Sequence, residues 1–228
     1  MAFPWRPLAA VSVALALVAG CGSSDKVGAP QSADTSTTTN SVPSTTPTTP
    51  PTPTYRLLTE EELTGALLGI EDLPAGYSQD PPSQGSANKT FCGYTPPFEE
   101  QIRVRQDFTK GGGLSAELLS IGLRQYASAE EAKASFDALT DALASCRGET
   151  YQGMEMTYAA MSAPKVGDAS VGVKISADGT DLLQTFALVG PTLVNTGGGG
   201  LMNASADDVN TLLEAQVNAY EAAASTVS

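Results

Sequence analysis

Between Gln31 and Thr54 the chain carries ten Thr, four Ser and five Pro, and no Leu, Ile, Phe, Tyr or Trp. Val42 is the one branched aliphatic residue there. Such a stretch has almost nothing to bury, so it cannot offset the entropy of ordering its own backbone. Any folded core is therefore confined to residues 55–228. The repeated Pro residues favour extended, polyproline-like conformations, which makes the stretch a semi-rigid spacer. At about 3.1 Å per residue, residues 22–54 would reach roughly 100 Å when fully extended.

The spacer follows a segment of a different kind. Leu8 to Ala19 is apolar apart from Ser12, and Arg6 is the one charged side chain before it. That run falls short of the ~20 residues a bilayer span needs. It matches the apolar region of a secretory leader, here residues 1–20, which is removed from the mature protein. Val18-Ala19-Gly20-Cys21 is similar to the lipobox of bacterial lipoproteins. The resemblance implies cleavage before Cys21 and a diacylglycerol on its sulfur. One acyl chain binds only marginally, so a diacyl anchor is the physically sensible solution. The expected location is the extracytoplasmic side of the cell membrane, held there by the lipid. Ordinary secretory cleavage beside an incidental cysteine is the alternative. The Thr and Ser clusters next to Pro also resemble O-glycosylated stalks, with an unmodified tether as the equal alternative.

Charge and composition exclude several functions. Twelve basic side chains stand against 25 acidic ones, and the formal net charge is -13. Such a domain does not suit phosphate backbones, where affinity comes mainly from cationic neutralisation, so nucleic acid is not an expected partner. There is no His in the chain. The commonest general base at neutral pH and a frequent metal ligand are thereby missing, and Ser-His-Asp or Cys-His arrangements cannot form. Gly197 to Gly200 is not followed by Gly-Lys-Ser/Thr, so it is no phosphate loop. Asp168, Asp178 and Asp181 fall near turns, where solvated acids are expected. The reading is a domain that is not an enzyme and needs no metal or cofactor. The distant alternative is a hydrolase working through carboxylates. Two cysteines remain beyond the leader, Cys92 and Cys146. In a disulfide-permissive compartment they are expected to be bonded, the alternative being a reactive thiol.

Periodicity predicts an α+β fold. Thr59 and Glu62 have capping-box spacing, which opens a helix ending near Gly69. Ile102, Val104 and Phe108 alternate along one strand, and Leu119, Ile121 and Leu123 along a second, with Gly111-Gly112-Gly113 between them. A helix follows Ser128, with its apolar stripe on Ala129, Ala132, Phe136, Leu139, Leu143 and Cys146. Four more strands are expected around Met154–Ala160, Val171–Ile175, Leu182–Val189 and Thr192–Thr196. Asp178-Gly179 is a hairpin turn signal. A closing helix starts behind Ser205. Short joins favour antiparallel pairing. The expectation is thus one sheet of about six strands with helices mainly on one face. The hydrophobes Met154, Met156, Tyr158 and Phe186 are candidates to line a cleft between sheet and helices, with ordinary core as the competing reading.

Several of these features together resemble a known family. They are Leu73-Pro74-x-Gly76-Tyr77 before the first cysteine, Tyr126 before a Ser-x-x-Glu-Ala helix containing Phe136, Cys146 behind it, and Gly167-Asp168 before a strand. They resemble the extracellular sensor-like domain attached to some mycobacterial Ser/Thr protein kinases and found in free lipoproteins of mycobacteria and their relatives. The likeness spans roughly residues 59–222. It implies an antiparallel sheet with packed helices, a large cleft and a ligand-binding or sensing role. The family's typical domain has two disulfides where this chain can form one, and it often has Trp where this chain has Ser145. The expected partner is a small amphipathic ligand such as a lipid, glycan or cell-wall fragment, or alternatively an envelope protein. Nothing in the sequence specifies an oligomeric state. Metabolic labelling with a fatty acid should modify Cys21 and place the protein in the membrane fraction. An unmodified Cys21, with the protein in culture fluid or cytosol, would contradict the assignment.

Overall fold

A computed structural model describes residues 54–82, 91–200 and 205–225. Cys21, the leader and the spacer up to residue 53 lie outside them. The described residues all fall within the unit spanning residues 50–228. The element order is α1 (Glu60–Gly65), β1 (Tyr77–Gln79), β2 (Ile102–Lys110), β3 (Glu117–Gln125), α2 (Ala129–Ser145), β4 (Gly148–Tyr151), β5 (Met154–Met161), β6 (Ala169–Ala177), β7 (Thr180–Val189), β8 (Thr192–Gly200) and α3 (Ala206–Ala224). The strands form one antiparallel sheet in the order β1-β2-β3-β8-β7-β6-β5-β4. No described helix is long and apolar enough to cross a membrane.

Local chemistry sets the helix starts as the spacing requires. Thr59 Oγ1 accepts from the Glu62 amide at 3.3 Å, and the Glu62 carboxylate accepts from the Thr59 amide at 2.9 Å. Arg56 donates to the same carboxylate, and together with the Thr59 amide it holds the Glu62 carboxyl down at about 2. Ser128 and Ser205 cap α2 and α3 by accepting from the amides of Glu131 and Asp208.

The sheet has eight strands, not about six. The added ones are β1, three residues at one edge, and β4, four residues at the other. The β4–β5 turn has φ of 51° at Gln152 and 81° at Gly153. Two positive φ values define the hairpin turn for which Asn-Gly and Asp-Gly are the usual signals, and Gln is not among them. Asp178-Gly179 makes the same turn, with φ of 48° and 77°, where the sequence signal placed it. Strand β8 also exceeds its expected end at Thr196 and continues to Gly200. The glycine run does not break it, because β3 and β7 supply ladder hydrogen bonds from both sides.

The helices are not mainly on one face. Leu63 of α1 and Leu213, Val217 and Tyr220 of α3 pack on Val104, Leu123, Ala187, Val189 and Val194. Ala132, Phe136, Leu139 and Leu143 of α2 pack on the opposite face, against Tyr158, Val173, Ile175, Phe186, Leu188 and Leu193. Residues 186–189 of β7 are consequently all buried. Such a continuous apolar run marks a strand covered from both sides.

Two buried glutamines and one disulfide fasten the peripheral segments. Gln125 accepts from the Leu58 amide and donates to its carbonyl, both at 2.8 Å. Gln216 accepts from the Leu68 amide at 2.9 Å and donates to the Ala66 carbonyl at 2.7 Å. Cys92 is bonded to Cys146, with Cα atoms 5.9 Å apart. Gln216→Leu should lower stability by about 2–3 kcal/mol in denaturant titration, because it strands a buried donor and a buried acceptor. A loss below about 0.5 kcal/mol would mean that these groups find other partners. The disulfide closes a sequence separation of 54 residues. Replacing both cysteines by Ser should therefore cost about 4 kcal/mol by the chain-entropy argument. An unchanged denaturation midpoint would contradict that.

Candidate functional site

Among the described residues, the sheet face that carries α2 is only partly covered. α2 lies over β5, β7 and β8. On the β2, β3 and β8 side the strand register arranges the outward residues in rows. One row places Leu118 and Leu182 on either side of Gly199. The next places Asp107 beside Ser120, then Gly197, then Gln184. The third runs Arg105, Gly122, Asn195 and Phe186, where the α2 core begins.

The first two rows form a trough of about 350 Å³. Its lining includes Asp80, Pro81, Arg105, Asp107, Leu118, Ser120, Leu182, Gln184 and the backbone of residues 197–199. That volume lies at the low end of small-molecule pockets, ~300–1,000 Å³. The glycines shape it. A Cβ at Gly199 would fall 2.5 Å from Leu182 Cδ2 and 2.8 Å from the Asp181 carbonyl oxygen. The missing side chain lets Leu182 lie across the strand. A Cβ at Gly198 would point to the opposite face, 2.7 Å from Val209 Cγ2, so its absence brings α3 close.

The trough's apolar wall is open to solvent, with Leu118 46% and Leu182 38% exposed. Its charges are engaged locally. Arg105 donates from Nε and Nη2 to Asp107 Oδ1, each at 2.8 Å. Asp80 accepts from Thr109 Oγ1 at 2.7 Å. Further along β2 and β3, Glu100 accepts from Arg103 at 2.6 and 2.8 Å and from Arg124 at 3.4 Å. Burial pushes the Arg124 guanidinium down, and Glu100 works against that shift.

The sequence-predicted cleft residues lie elsewhere. Tyr158 and Phe186 are buried under α2, and Met156 packs beside them. The Phe91 ring stands edge-on to both aromatic rings, with centroids 5.6 and 6.1 Å away. Tyr158 donates its hydroxyl to the Glu149 carboxylate, which also accepts from the Cys92 amide at 3.2 Å. Burial first, then Glu149, pushes the Tyr158 hydroxyl up. Tyr94 donates to the Ser135 carbonyl at 3.0 Å, and burial pushes its hydroxyl up to about 12. Met156, Tyr158 and Phe186 thus come together as packed core beneath the disulfide-pinned loop. Met154 stands apart and is 42% exposed. None of the four lines the trough.

Two of the three acids near turns have structural partners. Asp168 accepts from the Gly190 amide at 2.8 Å, and Asp181 pairs with Lys174 at 2.6 Å. Among the described residues no group of three or more His, Cys, Asp or Glu could hold a metal ion. Ser120, Gln184 and the glycine floor were not singled out from sequence. The available signal was the polar half of the β3 alternation, Ser120, Gly122 and Arg124, facing away from Leu119, Ile121 and Leu123.

No protein-family model matches the chain, and no curated protein does. Among solved structures the fold is similar to the extracellular domain of PknH from Mycobacterium tuberculosis, with a TM-score of 0.54 and 12% sequence identity, over 74% of this chain and 100% of that one. At this identity the likeness establishes a shared α+β fold and nothing finer.

Proposed function

We propose that the chain is a membrane-anchored lipoprotein whose folded domain binds a ligand without catalysis. The observation that carries this reading is the trough on the uncovered part of the sheet. A sheet face built from rows of small and polar residues, and left open beside a packed helix, is a preformed concavity. The fold it shares with the extracellular domain of PknH supports a sensing or binding role. Lipidation at Cys21, from the lipobox likeness, supports placement on the extracytoplasmic side of the membrane.

The geometry of the domain suits this arrangement. The chain enters where Tyr55 bridges Ser225 and the Arg56 amide donates to the Ala224 carbonyl at 3.0 Å. This is the end of β7 and β8 that holds the turn at Gly190, against which the Tyr55 ring packs. Leu182 and Gly199 lie at the opposite ends of these strands, roughly 20–25 Å away at ~3.4 Å per residue. The spacer therefore joins the domain at the end remote from the trough's apolar wall.

A second reading has its own observation. Leu114, in the β2–β3 connection, is 74% exposed, and Leu118 and Leu182 share that end of the sheet. An exposed apolar end suits docking of an envelope protein.

Native mass spectrometry of the protein extracted from its own membranes should show a bound small molecule that Ser120→Trp, which fills the trough, displaces. Retention of the small molecule by that variant would contradict the trough as the site. A protein bound instead, and lost in Leu114→Ser, would favour the second reading.

A further inference from the structure

We propose that the trough takes an uncharged saccharide rather than an anionic lipid or other anion. The inference rests on the trough being the binding site and concerns what its chemistry accepts.

The polar groups left uncommitted are neutral. Ser120 and Gln184 flank Gly197 on its two sides. Both side chains are half-buried, and neither makes a hydrogen bond to another described residue. The register sets the Ser120 and Gln184 backbones two strand spacings apart, about 9.6 Å. Together they present a hydroxyl and an amide, groups that both donate and accept. Saccharide hydroxyls need that mixture, because each also donates and accepts.

The charged lining points away from an anion. One cation, Arg105, stands against two carboxylates, Asp107 and Asp80. Arg105 is already engaged by Asp107 through both Nε and Nη2. The remaining charge at the trough is negative, on a chain whose formal net charge is -13. An anionic headgroup would meet repulsion both locally and at long range. An uncharged ligand meets neither. Leu118 and Leu182 supply an apolar wall for the C–H face of a sugar ring or for an acetamido methyl.

The test uses the purified, 15N-labelled chain with maltotriose, tri-N-acetylchitotriose and vesicles of phosphatidylglycerol as separate probes. At least one saccharide should shift the amides of Ser120, Gln184 and Gly197 in a saturable way. Gln184→Ala and Ser120→Ala should each weaken that binding tenfold or more while leaving far-ultraviolet circular dichroism unchanged. Three results overturn the proposal. If the lipid perturbs these amides and neither saccharide does, the trough is a binding site but the inferred chemistry is wrong. If no probe perturbs them, or a saccharide binds with undiminished affinity in both variants, the saccharide site at this trough is refuted.

Discussion

Among the described residues, three α-helices have to cover two faces of one wide sheet. Eight strands at about 4.8 Å spacing are roughly 34 Å across, whereas a helix with its side chains is only about 10–12 Å thick. Two helices, α1 and α3, share one face. Among the described residues the other face has α2 alone, placed over β5, β7 and β8. The strands beneath helices on both sides become apolar in both directions, which is why residues 186–189 of β7 are all buried. Strands β2 and β3 lack that second cover. They stay amphipathic, with Val104 and Leu123 inward and Arg105, Ser120 and Arg124 outward. The trough is the step between the covered and uncovered parts of the face.

The glycine run in β8 belongs to the same geometry. The strand sits at the step and is approached closely from both faces, by Leu182 on one and by Val209 of α3 on the other. Glycine in a strand interior is unfavourable by roughly 0.5–1 kcal/mol relative to Ala. Here the ladder on both sides holds the strand despite that cost. The disulfide and the two buried glutamines act at the periphery, where backbone segments would otherwise leave polar groups unpaired. They fasten the loop over Tyr158 and Phe186 and the segment around α1, and leave the trough's own wall unbraced by cross-links.

Sequence reading captured the features that depend on local chemistry. The capping residues Thr59, Ser128 and Ser205, the Asp178-Gly179 turn, the inward faces of β2 and β3, and the Cys92–Cys146 bond all stand where residue type and spacing put them. The misses came from tertiary context. Gly197 to Gly200 has no intrinsic strand preference and is held as strand by its two neighbours. Gln152 adopts positive φ against its propensity because β4 and β5 close there. The second helical face is hard to read because both halves of β7 are apolar, with Phe186 and Leu188 in one core and Ala187 and Val189 in the other. The trough depends on which strands end up adjacent, and that order, β3 beside β8 beside β7, is set by long-range pairing.

Thiol accessibility tests the division of that face most directly. Single cysteines placed at Ser120, Gln184 and Val173 lie on the same face, the first two in the open trough and the third beneath α2. Ser120→Cys and Gln184→Cys should react readily with a soluble thiol reagent, and Val173→Cys should react on the order of a hundredfold more slowly than either because it needs local opening. Equal protection at all three positions would show that the face is covered throughout, and the trough would not exist as an open site.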